Sequence, residues 1–185
     1  MDADIPLTAG EIRTFETSNH QPISALAVKV IGELDAKALI IDGTARINPY
    51  WIVRMCKEYG YDIDTVLENI IIARGFTAYQ LKDMIGKIEE VVKSTPDLRF
   101  LGLIDFSSRF KDDDLEEEEG VWLRSKAVKE IQRMVKVYNL YGAVADPNPE
   151  VFRKRSEETI ETEIVKDIEK SAKQEIKKKE RFFSF

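Results

Sequence analysis

The first residues of this chain that could do chemistry lie in the octapeptide GEIRTFET at residues 10–17. A phosphate-binding loop has the form G-x-x-x-x-G-K-[ST], in which backbone amides cradle phosphate, the lysine neutralises it and the hydroxyl binds Mg²⁺. Gly10 and Thr17 stand at the ends of that pattern, but Phe15 and Glu16 replace its Gly-Lys pair. The segment predicts either a vestigial nucleotide loop or an ordinary strand-to-helix turn in which Thr17 or Ser18 caps the next helix. The candidate nucleotide-binding residues here are Gly10, Thr14, Glu16 and Thr17.

Two further acids end predicted strands. The run KALIID at residues 37–42 ends in Asp42, and the run RFLGLID at residues 99–105 ends in Asp105. Ligands of open α/β sheets bind outside the carboxyl ends of the strands, so both acids belong to the candidate site. They are either a residual ATP or metal site, or acids that are solvated or cap helices.

The single histidine and the single cysteine narrow the chemistry further. His20 alone excludes a multi-His metal centre, and with no cysteine beside it we expect no catalytic role. Cys56 alone excludes an internal disulfide framework. It falls among the apolar residues of a predicted helix, where we expect it to pack in the core.

Hydrophobic periodicity predicts the elements that must position these residues. Strands alternating with helices are typical of a parallel sheet with helices on both faces. The β-branched run NIIIAR at residues 69–74 is expected to be covered on both faces. The predicted strands cover residues 37–42, 69–74, 99–105 and 140–145, and the predicted helices cover residues 23–32, 49–59, 62–68, 77–94 and 121–138.

Length and composition bound the class of protein. A chain of 185 residues with 43% hydrophobic residues can bury one sizeable core. A net charge of −6 argues against a generally cationic nucleic-acid binder. No apolar run approaches the roughly 18 residues that cross a bilayer, so we expect a cytoplasmic protein with no membrane contact. The many Glu, Lys and Ile residues are typical of thermophile usage.

One short segment, KDDDLEEEE at residues 111–119, carries seven acids and one base. It is too highly charged to pack in a core, so we expect a loop or an extended helix start. Its acids are either simply solvated, or they attract a basic partner and keep DNA away.

The predicted domains are a core over residues 1–150 and a charged amphipathic helix over residues 151–185. This tail holds 10 Lys+Arg and 8 Asp+Glu, with apolar residues at four-residue spacing. The stripe predicts a helix that either packs on the sheet or projects towards a partner or a second copy of the chain. Its basic clusters leave DNA contact open. The candidate partner-binding residues are Ile160, Ile164, Ile168, Phe182, Phe183 and Phe185.

Several of these stretches resemble the RecA/RadA recombinases, in particular their archaeal and eukaryotic strand-exchange branch. The stem GEIRT is similar to the stem of the family's phosphate loop, and IIDGTARI at residues 40–47 resembles the strand end that carries its catalytic glutamate. The closest stretch is DIDTVLENIIIAR at residues 62–74, and LGLIDFSSRF at residues 101–110 is similar to the second nucleotide motif. The resemblance implies a RecA-like P-loop NTPase core with a truncated, mostly parallel sheet.

The departures from the family pattern concern its phosphate-binding positions. Glu16 places an anion where the family's lysine touches phosphate, and Asp42 is one methylene shorter than the catalytic glutamate. Asp146 and Pro147 replace the Asn-Gln pair that senses the γ-phosphate, and acids fill the first DNA-binding loop. The resemblance therefore implies an archaeal RadA-like paralogue with degenerate motifs, no ATPase activity and no ATP or Mg²⁺ cofactor. Such a paralogue would act through protein contacts, for example with a RadA recombinase in DNA repair or recombination. The alternatives are a residual ATP- or metal-dependent enzyme and a nucleic-acid binder acting through the tail.

Overall fold

The computed structural model describes residues 5–111 and 115–152, and in that part of the chain strands and helices alternate. The strands are β1 (Ile12–Glu16), β2 (Lys37–Asp42), β3 (Ile70–Arg74), β4 (Leu98–Ile104) and β5 (Tyr141–Asp146). The α-helices are α1 (Gln21–Leu34), α2 (Pro49–Tyr59), α3 (Ile63–Glu68), α4 (Ala78–Gly86), α5 (Ile88–Ser94) and α6 (Glu117–Val137). Short 3₁₀ helices cover Ser107–Lys111 and Pro149–Phe152.

The strands form one sheet in the order β1-β5-β4-β2-β3, and every pairing is parallel. Helices α1, α2 and α3 bury one core against one face of the sheet. Helices α4, α5 and α6 bury a second core against the other face. The predicted α/β class, a parallel sheet flanked by helices, is confirmed.

The three strands inside the sheet are continuous apolar runs because both of their faces are covered. Strand β2 is buried from Ala38 to Asp42, and β4 buries every residue except Arg99. Since successive side chains point to opposite faces, β2 alternates between the two cores, with Leu39 in one and Ile40 in the other.

The prediction that residues 69–74 are covered on both faces holds only in part: Ile71 and Ala73 pack against one core and Ile70 against the other, but this cover is incomplete. Strand β3 pairs only with β2 and lies at one edge of the sheet, so its side chains are only partly buried and Ile72 is 37% exposed. A β-branched run is equally compatible with an edge strand, and periodicity alone does not separate the two cases.

The single helix predicted over residues 77–94 is two helices that meet at Lys87. Gly86 is a weak helix former, costing about 1 kcal/mol relative to alanine, and the Lys87 N–H bonds back to Met84 instead of continuing the helix. Ile85 and Ile88 remain buried on either side of the break. The apolar spacing therefore continues through the interruption, which is why the periodicity does not reveal it.

Strand β1 is the element that periodicity missed. Its residues Ile12–Glu16 alternate between partly buried and exposed, and they pair in register with β5 from Ile12 opposite Gly142 to Glu16 opposite Asp146. Periodicity does not predict this strand because the polar residues Arg13, Thr14 and Glu16 interrupt its apolar pattern. Most of the motif at residues 10–17 is therefore strand, and Thr17 begins the strand-to-helix turn before α1. The predicted cap is wrong, since His20 and not Thr17 or Ser18 is the residue that precedes the helix.

The remaining helix ends follow ordinary capping chemistry. Asp62 accepts the Thr65 N–H at 2.8 Å and caps α3, as predicted, and Gly60 ends α2 with a left-handed φ of 75°. Helix α6 begins at Glu117, four residues before its predicted start, and its first turn carries three glutamates. Acids are favoured there by the helix dipole, so part of the acidic segment is an extended helix start.

Within the described residues, no helix is long and apolar enough to cross a membrane. The predicted tail helix, from residue 153 onward, lies outside the described residues. The domain boundary near residue 150 therefore stays a prediction, as do the partner-binding residues Ile160, Ile164, Ile168, Phe182, Phe183 and Phe185.

A charged cluster joins α5 to α6. Glu89 accepts hydrogen bonds from Arg133 at 2.7 Å and from the Tyr138 hydroxyl at 2.9 Å, and pairs with Lys93 at 2.9 Å. Arg133 also bonds Glu130 at 2.7 Å. The hydrogen bonds from Arg133, Lys93 and Tyr138 lower the pKa of Glu89 to about 2 from its ordinary 4.5.

Replacing this carboxylate tests the cluster. A carboxyl group with a lowered pKa in the folded state stabilises the protein above its ordinary pKa and loses that contribution as the pH falls towards the lowered value. We expect Glu89→Gln to lower the melting temperature at neutral pH, and to flatten its decline between about pH 4.5 and about pH 2. The neighbouring Glu90→Gln is the matched control. Identical calorimetric pH profiles for the two variants would contradict this role.

Candidate functional site

The candidate site is the edge of the sheet where all parallel strands have their carboxyl ends. Four segments gather there: the connections after β1, β2 and β4 and the turn after β5. Hydrogen bonds join them, since Thr17 donates to the Asp146 carbonyl at 3.2 Å, Gly43 to the Ile104 carbonyl at 2.9 Å and Asp105 to the Ala145 carbonyl at 2.8 Å. The edge is thus one connected surface, and it is where ligands bind in folds of this class.

The connection between β1 and α1 spans only residues 17–20, and it contains no glycine and no lysine. Its side chains accept two nearby amides: the Asn19 N–H donates to Thr17 Oγ1 at 3.1 Å, and the Gln21 N–H donates to Asn19 Oδ1 at 3.0 Å. Pro22 supplies no N–H in the first turn of α1. The connection is a short turn closed by its own side chains.

The candidate nucleotide residues therefore occupy two kinds of position. Gly10 precedes β1 with φ at 81° and donates its N–H to the Leu140 carbonyl at 2.8 Å. Thr14 and Glu16 lie within β1, and Thr17 follows the strand. Of these residues, Glu16 and Thr17 lie at the carboxyl edge, while Gly10 lies at the start of the strand and not in a phosphate loop.

His20 is the half-buried residue that precedes α1. Its Nδ1 lies 3.1 Å from Ser24 Oγ, and its ring meets the edge of Trp51 at a centroid distance of 5.8 Å. Burial lowers the pKa of His20, and the Asp42 charge opposes the shift. These contacts are those of a packing residue that stays neutral at physiological pH.

Asp42 is the acid that organises the loop after β2. Its Oδ1 accepts the Thr44 N–H at 2.9 Å, the Thr44 hydroxyl at 2.7 Å and the Ala45 N–H at 3.0 Å. Its Oδ2 accepts the Ile47 N–H at 3.3 Å. The side chain is buried, and donors of its own loop surround both of its oxygens.

Asp105 lies just beyond β4, beside Asp42 across the sheet, with a left-handed φ of 49°. Its carboxylate accepts the Ser108 hydroxyl. The two loops approach closely at Gly43, where a Cβ would lie 2.7 Å from the Asp105 carbonyl oxygen. The Arg109 Nε donates to the Gly43 carbonyl at 2.6 Å and ties the loops together from the other side.

Asp146, the last residue of β5, also binds loop backbone through its carboxylate. It is fully buried, and its carboxylate accepts the Ser107 N–H and the Asn148 N–H, both at 2.7 Å. From the sequence, Asp146 was expected only to replace a residue of the pair that senses the γ-phosphate. Its structural partner Ser107 lies 39 positions away in sequence, and no local pattern reveals that contact.

A bound triphosphate does not fit the β1–α1 connection. A phosphate cradle needs free amides, a close backbone approach and a lysine. This connection has no glycine and no lysine, Pro22 follows it in α1, and the Asn19 and Gln21 amides are already bonded. Nor do the described residues contain any group of three or more His, Cys, Asp or Glu side chains that could hold a metal ion. The acids of the edge bond to the backbone of the loops after β2, β4 and β5.

Comparison with known proteins gives one match. The Rad51 family model matches residues 8–110, which is more than half of the 185-residue chain. The matched region runs from just before β1 to the 3₁₀ helix after β4, so it includes β2, β4 and the candidate acids Asp42 and Asp105. No curated protein matches the chain.

The loop after β2 gives a direct test of the site. Asp42→Asn keeps the shape of the side chain but replaces an oxygen acceptor by an amide donor that faces N–H groups, so we expect a loss of about 2 kcal/mol in the free energy of unfolding. The exposed Asp97→Asn is the matched control, with an expected change within about 0.5 kcal/mol. Urea unfolding curves measure both. Equal stabilities for the two variants would show that the Asp42 carboxylate does not hold the loop.

Proposed function

This chain belongs to the Rad51 family, and from that membership we propose that it is a non-catalytic paralogue that modulates a recombinase through protein contacts. Membership places the chain among the RecA-type recombination and repair proteins. These proteins act in oligomers and with protein partners, so a role through protein contacts is consistent with the family. The specific partner we propose is a RadA-type recombinase.

The observation that carries the proposal is the closed connection between β1 and α1. In a P-loop protein this connection wraps around the phosphates, with glycines, a lysine and a hydroxyl residue. Here residues 17–20 are too few for such a loop, and their hydrogen bonds run to one another. We infer that the chain does not turn over ATP and needs neither ATP nor Mg²⁺ as a cofactor.

Charge at the same edge supports the proposal. Glu16 is exposed at the end of β1, and the segment at residues 111–119 follows β4 with seven acids. Both places would bring anions close to phosphate groups, whether of a nucleotide or of DNA. We infer degenerate phosphate-binding motifs and no strand exchange by this chain alone.

The open edge strand β3 offers a contact to the proposed partner. Its outer side has no neighbouring strand among the described residues, so its backbone groups are free to pair with an added strand. A chain that pairs through this edge without hydrolysing ATP would join or cap a recombinase filament. A second copy of the chain, joined through the predicted tail helix, is the other partner we propose.

Filament assembly tests this function. Light scattering should show that the full chain, added below stoichiometry, reduces or shortens filaments of the RadA-type recombinase from the same organism. We expect Ile72→Lys on β3 to weaken the effect by about tenfold or more, because an edge lysine opposes strand pairing. Ile72→Val is the matched control. The proposal fails if the chain neither binds the recombinase nor alters its assembly at equimolar concentration.

A further inference from the structure

Large apolar side chains collect on the surface where α4 and α6 begin. Phe76 is 58% exposed, Tyr79 49% and Trp122 53%. These residues are called the aromatic surface below. Exposed aromatic groups of this size are costly to leave in water, and clusters of them mark sites of association.

Contacts between the two helices hold the aromatic surface together. The Tyr79 hydroxyl on α4 donates to Glu119 Oε1 on α6 at 2.7 Å. Trp122 follows Glu119 by three residues and therefore shares its side of α6. The Phe76 N–H donates to Gln80 Oε1 at 2.9 Å and fixes the turn that carries the phenyl ring. The surface is built on packed elements, which reduces the entropy that a partner must overcome.

Trp122 already accepts a cation. The Lys126 ammonium lies 4.1 Å from the centre of its ring, within the range of a cation–π interaction. Half of the tryptophan side chain is still exposed, so an arginine or lysine from another molecule can reach it. The ring therefore favours a cationic group in addition to an apolar one.

One border of the aromatic surface, the first turn of α6, is acidic, while Lys126 lies on the other side of Trp122. Glu117, Glu118 and Glu119 form the first turn of α6, directly before Val121 and Trp122. This charge disfavours nucleic acid, because phosphates would approach carboxylates although the rings could stack on bases. It favours a partner that brings positive charge and apolar side chains together.

We propose that the aromatic surface is a docking site for a basic peptide segment of a partner protein, in which apolar side chains contact Phe76 and Trp122 and arginine or lysine pairs with the acidic first turn of α6. The proposal deepens the proposed function and rests on it for a protein partner, but it concerns a different surface from β3.

Peptide binding tests the docking site. Fluorescence anisotropy would follow a labelled synthetic peptide of alternating arginine and leucine, titrated with the full chain. Saturable binding is expected, weakening by about tenfold from low to high salt because the charges are exposed. A peptide of alternating glutamate and leucine and an oligothymidylate are the other probes, and neither should bind. Equal binding of either probe would overturn the assignment to a basic segment.

Variants locate the binding. Trp122→Ala should weaken the affinity for the arginine peptide by about tenfold or more, as expected of an aromatic anchor. Val137→Ala, at the exposed far end of α6, is the matched control and should leave it unchanged. The double variant Glu117→Gln, Glu118→Gln should remove most of the salt dependence. Unchanged affinity in the Trp122 variant, with melting temperatures equal to that of the parent chain, would overturn the proposal.

Two further outcomes separate this inference from others. Self-association of the parent chain that Trp122→Ala abolishes would show that a second copy, and not a basic peptide, covers the surface. If the arginine peptide fails to bind while the chain still alters recombinase assembly, the docking site fails alone. If the peptide binds but assembly is unaffected, the proposed function fails alone.

Discussion

Backbone amides at the carboxyl ends of a parallel sheet must be satisfied, and in this protein buried aspartates satisfy them. Asp42 accepts donors from the loop after β2, and Asp146 accepts the N–H of Ser107 from the loop after β4. A buried amide without a partner costs about 1–3 kcal/mol, so these two carboxylates set the conformation of the whole edge. The close approach at Gly43 and the Arg109 hydrogen bond depend on the loops that they hold.

This arrangement has a functional consequence. In a nucleotide-binding protein of this architecture, phosphate and Mg²⁺ would take up the amides and carboxylates at the edge. Here the chain supplies both donors and acceptors itself, and the β1–α1 turn is closed in the same manner. We propose that this chain keeps the family fold while its ligand positions serve structure. Two exposed features of the chain favour contacts with proteins: the edge strand β3, and the aromatic surface with its acidic border.

Much of this fold was predictable because local patterns carry it. The apolar runs of β2 and β4, the helix Pro49–Tyr59 and the cap at Asp62 all follow from residues that are adjacent in sequence. Strand β1 was not predictable in this way, since its polar residues are held by pairing with β5 across more than a hundred positions. The contact from Asp146 to Ser107 is equally non-local. The archaeal branch and the thermophilic origin stay predictions.

Calorimetric titration of the full chain with ATP in the presence of Mg²⁺ tests the central claim most directly, namely that Asp42 and Asp146 hold the loops of the carboxyl edge in place of a ligand. We expect no saturable heat up to millimolar nucleotide, because the β1–α1 turn has no glycine and no lysine and the Asn19 and Gln21 amides are already bonded. Saturable binding that Asp105→Asn abolishes, while the variant keeps the melting temperature of the parent chain, would contradict it.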